Sequence, residues 1–139
     1  MLNYYLEALK KSGNFNGRAG RKEYWCFILI NFLISALLEI IKEVYEEAAN
    51  DSIIASDFYF YVYLFLAFAP LIFNLAMIVP TLALTVRRLH DTNHRGWWIF
   101  VNLIPFVGLI VMLIFLIDQG EKGANRYGPP AFKVISNKK

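Results

Sequence analysis

Apolar positions in this chain gather into three long blocks, 24–41, 58–86 and 97–117, and charged residues are confined almost entirely to the stretches between and beyond them. Blocks of this length predict membrane-crossing helices. As a helix the first measures about 27 Å, at the short end of what crosses a hydrocarbon core. The second, free of charge, measures about 43 Å and must tilt or kink, with Pro70 and Pro80 as kink points. Cut at Pro70, its halves are each too short to cross. The third measures about 31 Å, close to the core thickness, with Pro105 and Gly108 near its middle. Ahead of them, Leu2, Tyr5, Leu6 and Leu9 fall at helical spacing, with Glu7, Lys10 and Lys11 largely off that stripe. That pattern predicts a short amphipathic helix, either lying on the membrane or packed on the bundle. The predicted fold is all-α: three transmembrane helices and a short N-terminal amphipathic helix in one integral membrane domain, followed by a polar tail, 118–139.

The polar joints have distinct characters. Arg18, Arg21, Lys22 and Glu23 precede Tyr24 and Trp25, the cation-then-aromatic order of a membrane border, and the cations also suit lipid phosphate. Residues 42–57 are acidic: Glu43, Glu46, Glu47, Asp51 and Asp57 stand against Lys42. Helical pattern continues through Ala49, and Asn50-Asp51-Ser52 reads as the turn that ends it. Between the second and third blocks lies Arg87-Arg88-Leu89-His90-Asp91-Thr92-Asn93-His94-Arg95-Gly96-Trp97-Trp98. Arginine, histidine and aspartate are costly in hydrocarbon while tryptophan prefers its boundary, so this segment is expected at the membrane surface. There Arg87 and Arg88 fix the end of one span, and Asp91, Thr92 or Asn93 caps the next helix. The tail is turn-rich through Gly120, Gly123, Gly128, Pro129 and Pro130, and its end is basic and frayed through Lys133, Lys138 and Lys139.

Composition narrows the reading further. A chain of 139 residues makes one domain, and 58% hydrophobic residues with a mean hydropathy of +0.44 exceed what a soluble domain carries. A net charge of +3, dispersed, gives no nucleic-acid surface. The single cysteine, Cys26, excludes an intrachain disulfide and reads as a small buried hydrophobe. Early charges at Glu7, Lys10 and Lys11 argue against a cleavable signal peptide.

Orientation follows from charge. With the N-terminus in the cytoplasm, residues 1–23 and 87–96 lie inside and the acidic loop outside, as the positive-inside rule asks. Three full spans then put the tail outside, against the preference of Lys122, Arg126, Lys133, Lys138 and Lys139. A third block turning back at Pro105 to Gly108 would bring the tail inside, but its turn would expose backbone to lipid. That cost favours three spans. Arg18, Arg21 and Glu23 are then expected to meet Arg87, Arg88 and Asp91 on one face, where Glu23 or Asp91 neutralises an arginine.

Candidate chemistry is sparse. His90 and His94 have the i, i+4 spacing of helical metal ligands but lack the third and fourth ligands a site needs, so no metal or cofactor is implied. His90 and Asp91 beside Arg87, Arg88 and Arg95 suggest a base and a phosphate holder. Adjacent helical residues diverge, however, and no nucleophile accompanies them. Polar groups inside the blocks are Asn31, Ser35, Glu39, Asn74, Thr81, Thr85 and Asn102. They are few for a charged substrate and suit helix–helix hydrogen bonds, as Ser35-Ala36, Ala67, Ala69 and Ala76 suit close helix approach.

Three segments resemble the bacterial inner-membrane family called domain of unknown function 805, the YhaH-like proteins. They are Phe15-Asn16-Gly17-Arg18-Ala19-Gly20-Arg21-Lys22-Glu23-Tyr24-Trp25, Arg87-Arg88-Leu89-His90-Asp91-Thr92 with Gly96-Trp97-Trp98, and Gly120-Glu121-Lys122-Gly123-Ala124-Asn125-Arg126-Tyr127-Gly128-Pro129. The resemblance implies a small multi-pass plasma-membrane protein and supplies no activity. This chain departs from it at Arg95, where a serine commonly stands, at Pro130, where an aspartate often does, and in its long acidic loop. The sequence therefore predicts a non-enzymatic membrane protein acting through membrane lipids, itself as a homo-oligomer, or a membrane protein partner; the alternative is a subunit of a small transporter or channel. Its candidate polar cluster is Arg18, Arg21, Glu23, Arg87, Arg88, His90 and Asp91, and its interfacial anchors are Tyr24, Trp25, Trp97 and Trp98.

Overall fold

The computed structural model describes residues 1–50 and 57–131. The turn expected at Asn50-Asp51-Ser52 and the basic end of the tail fall wholly or partly outside the described residues. Among the described residues four α-helices and one 3-10 segment follow in order: α1 (Leu2–Lys10), α2 (Arg21–Asn50), α3 (Asp57–Asp91), the 3-10 segment Gly96–Leu103, and α4 (Val107–Ile117). The chain divides into two compact units, one of Met1–Ile28 with Val79–Lys139 and one of Leu29–Ile78.

Among the described residues two helices, α2 and α3, are long and apolar enough to cross a membrane. Only 11% and 6% of the positions in their apolar stretches are buried. The core helix of a soluble protein would hide such a stretch, so these side chains have lipid as their solvent. Within the Leu29–Ile78 unit the two helices run antiparallel. Ser35 Oγ donates to Asn74 Oδ1 at 3.1 Å, and the Tyr45 and Tyr59 rings stack 6.1 Å apart. Asn74 Nδ2 donates to the Pro70 carbonyl, and Glu39 pairs with Lys42 one turn on. These polar groups bond between the two helices or within one of them, as the sequence suggested.

In the other unit, α1 turns two faces. Tyr5 and Ala8 are buried, with Tyr5 stacked on Phe27 at 5.2 Å, while Leu2 and Leu6 remain exposed. The helix thus packs inward and presents an apolar edge outward.

The expected third continuous helix is corrected. Residues 97–117 form two short arms, an eight-residue 3-10 run and the eleven-residue α4, packed on each other. Each arm measures about 16 Å, roughly half a hydrocarbon core. They join at a tight turn where Val107 N donates to the Pro105 carbonyl at 2.8 Å and Phe106 adopts φ 63°, ψ −55°. This is a γ-turn, a strained conformation for a non-glycine residue. Gly108 permits the arms to touch, because a Cβ there would lie 2.0 Å from the Val101 carbonyl oxygen. The expected N-cap role of Asp91, Thr92 or Asn93 is likewise not observed. The 3-10 run starts from an extended Arg95 without a side-chain cap, and Thr92 Oγ1 instead bonds back to the Leu89 carbonyl.

Candidate functional site

The last turn of the 35-residue α3 carries Arg87, Arg88, His90 and Asp91. Two loops fold over that end: residues 11–20 between α1 and α2, and residues 118–131 after α4. Ala19 N donates to the Arg87 carbonyl and Glu121 N to the Asp91 carbonyl, each at 3.0 Å. Both loops are therefore stitched to α3 through backbone before any side chain contributes.

Asp91 stands at the centre. Its Oδ1 accepts from Arg18 Nε at 2.8 Å and its Oδ2 from Arg88 Nη1 at 2.6 Å. Gly120 lies against the carboxylate so closely that a Cβ there would sit 1.9 Å from Oδ2. Arg18 makes five hydrogen bonds: Nε to Asp91, Nη1 to the Gly123 and Gly128 carbonyls, and Nη2 to the Asp91 and Glu121 carbonyls. Arg88 reaches the other end of the tail, its Nε bonding the Leu116 carbonyl at 3.2 Å and its Nη2 the Asp118 carbonyl. Arg87 turns the opposite way and pairs with Glu23 at 3.2 Å. Arg18, Glu23, Arg87, Arg88, His90 and Asp91 are all buried. Charge-assisted bonds in so dry a place are strong, and loss of one partner is correspondingly expensive.

His90 packs its ring flat on Tyr127, centroids 3.7 Å apart. Its Nδ1 lies 3.2 Å from the Gly17 carbonyl, an acceptor only, so Nδ1 carries the proton. Tyr127 is held by a turn in which Asn125 and Gly128 exchange backbone bonds while Asn125 Nδ2 donates to the His90 carbonyl. His94 points elsewhere, stacked on Phe115 with Nδ1 on Thr92 Oγ1. Among the described residues no group of three metal-ligating side chains converges.

Of the sequence candidates, six meet in this cluster; Arg21 is exposed and reaches only the Ile117 carbonyl, at 3.5 Å. The anchors divide as well. Trp25, Trp97 and Trp98 are exposed, whereas Tyr24 is buried and turned edge-on to Trp25. Of the four expected anchors Tyr24 is thus the one whose side chain faces inward.

Arg18 and Arg88 hold the carbonyls of Leu116, Asp118, Glu121, Gly123 and Gly128, so residues 118–128 pack against the end of α3. These carbonyls were missed because backbone acceptors carry no residue-type signal. The surplus of basic residues in the tail was the available clue.

The chain is 37% identical over 127 residues to the Inner membrane protein YhaI of Escherichia coli (strain K12), covering 91% of this chain and 93% of that protein. It is 33% identical over 130 residues to the Inner membrane protein YhaH of the same strain, covering 92% and 95%. No solved structure matches. Residues 12–129 match the family described as Protein of unknown function (DUF805), an interval that takes in all three segments of the cluster, and the chain belongs to that family.

Proposed function

We propose that this chain is a non-enzymatic inner-membrane protein that acts by association, with its N-terminus, the end of α3 and the tail all on the cytoplasmic face. The observation that carries this is the use of the cluster's polar groups. Asp91, Arg18 and Arg88 are engaged with one another and with main-chain carbonyls, the pattern of a clasp rather than of groups waiting for a substrate. The clasp fixes the C-terminal end of the hairpin 96–117 through the Leu116 and Asp118 carbonyls, and the apolar tip stays outward, with Leu103 and Phe106 at 79% and 85% exposure.

Two crossings with a half-depth hairpin support the orientation. Lys10, Lys11, Arg18, Arg21 and Lys22, then Arg87, Arg88 and Arg95, then Lys122 and Arg126 all fall on one side, opposite the acidic loop, as the charge rule asks. The backbone at the hairpin tip needs protein cover within hydrocarbon, and a second copy or another membrane protein provides it. Purification from native membranes in mild detergent is expected to yield a defined oligomer or a co-purifying membrane protein. A strictly monomeric, partner-free species, in detergent and in nanodiscs alike, overturns the reading.

A pore subunit is the second reading, carried by the half-length hairpin, since such elements line water-filled paths in channels. On the favoured reading, proteoliposomes show no ion or solute flux above empty vesicles. Flux abolished by Asn102→Leu, on the exposed face of the 3-10 arm, would reverse the preference.

A further inference from the structure

The cluster holds three buried arginines, and one of them differs. Arg18 makes five hydrogen bonds and Arg88 three, whereas Arg87 makes a single side-chain bond, to Glu23. Among the described residues nothing accepts from Arg87 Nε or Nη2, although both atoms are buried and the side chain is only 2% exposed. Nε and Nη2 form one edge of the guanidinium. Their N–H bonds run parallel, the fork that matches two oxygens of a carboxylate or phosphate.

The buried carboxylates divide unevenly: Glu23 answers Arg87 alone, while Asp91 is shared between Arg18 and Arg88, with the exposed Asp118 also acting on Arg88. The case for Arg87 therefore rests on its two buried, unengaged N–H groups, which in a dry site call for an acceptor. Glu23 lies in the first turn of the 30-residue α2, whose positive end adds to the attraction for an anion.

We propose that the Nε–Nη2 edge of Arg87 seats a phosphate oxyanion, the group borne by a phospholipid headgroup or by free phosphate. Helix α1 rests on the face of α2 carrying Glu23 and Phe27, with Tyr5 stacked on Phe27, Ala8 buried, and Leu2 and Leu6 exposed on its outer edge. The proposal deepens the association reading by naming a ligand, and rests on it only for the placement of Arg87 at a membrane face. A bound phosphate on a strictly monomeric, partner-free protein would retire that reading and leave this one standing.

The test uses the full chain, delipidated in mild detergent and offered phosphatidylglycerol in one arm and sodium phosphate alone in the other. Bound species are counted by native mass spectrometry and thermal stability is followed. The wild type is expected to retain one phosphorus-bearing ligand per chain. Arg87→Lys, which loses the fork but keeps the charge, is expected to weaken retention about tenfold. Exposed Lys22→Ala is expected to change it less than about twofold, as a solvated charge would. Retention of lipid without a response to phosphate assigns the headgroup; a response to phosphate alone assigns the free ion. Binding in neither arm, equal retention by Arg87→Lys, or an equal loss with Lys22→Ala overturns the site. Should Arg87→Lys fail to accumulate, Glu23→Gln decides with the opposite sign. Removal of the competing carboxylate is expected to tighten retention, and unchanged retention overturns the proposal.

Discussion

Asp91→Ala is expected to destabilise the protein by about 3–5 kcal/mol, the penalty for leaving buried charges without their partner. Here one carboxylate serves two guanidiniums, so both Arg18 and Arg88 lose their neutralising group at once. Their remaining bonds go to main-chain carbonyls, those of Asp91, Leu116, Asp118, Glu121, Gly123 and Gly128. Those bonds satisfy donors but cannot balance charge. The loss is read as a lowered unfolding midpoint in detergent, together with protease sensitivity appearing in residues 118–131. Asp91→Asn, which keeps shape and one acceptor, is expected to recover only part of it.

Gly120→Ala is expected to cost about 3 kcal/mol, the upper part of the range for overpacking, although it changes no charge. Its added methyl would fall 1.9 Å from Asp91 Oδ2 and 2.5 Å from the carboxyl carbon, so the carboxylate or the tail must shift. The two substitutions act on one contact and are expected to be non-additive. In an Asp91→Ala background the methyl meets no carboxylate, and Gly120→Ala should cost at least about 1 kcal/mol less than alone, a coupling measurable by a double-mutant cycle. Additive losses would mean that Gly120 matters for another reason.

Hydropathy alone marked α2 and α3, because lipid as solvent leaves long uncharged runs that nothing else explains. Charge placement marked the cluster. Burying Arg18, Arg87, Arg88, Glu23 and Asp91 at the edge of apolar blocks is tolerable only if they pair, and the opposite signs in the two segments supplied the pairs. The third block was misread for an identifiable reason. Its 21 residues match a span by length and hydropathy, and neither property reports direction. Pro105 and Gly108 were recognised as interruptions, but weighing them required knowing that Phe106 closes a γ-turn and that the Gly108 backbone touches Val101. The excess of lysine and arginine in the tail pointed to the returning path, and the cost of exposed backbone was set above it. An aromatic beside basic residues reads as an anchor, and only packing reveals that Tyr24 faces inward.

The account rests on residues 14–25, 87–96 and 118–131 sharing one side of the membrane. Single cysteines at Lys22→Cys, Lys122→Cys and Glu47→Cys, each in a Cys26→Ser background, can be probed with a membrane-impermeant thiol reagent applied to intact spheroplasts and to inverted vesicles. Lys22→Cys and Lys122→Cys are expected to label only in inverted vesicles, and Glu47→Cys only in spheroplasts. Labelling of Lys122→Cys from the same side as Glu47→Cys would contradict the returning hairpin and the clasp built on it.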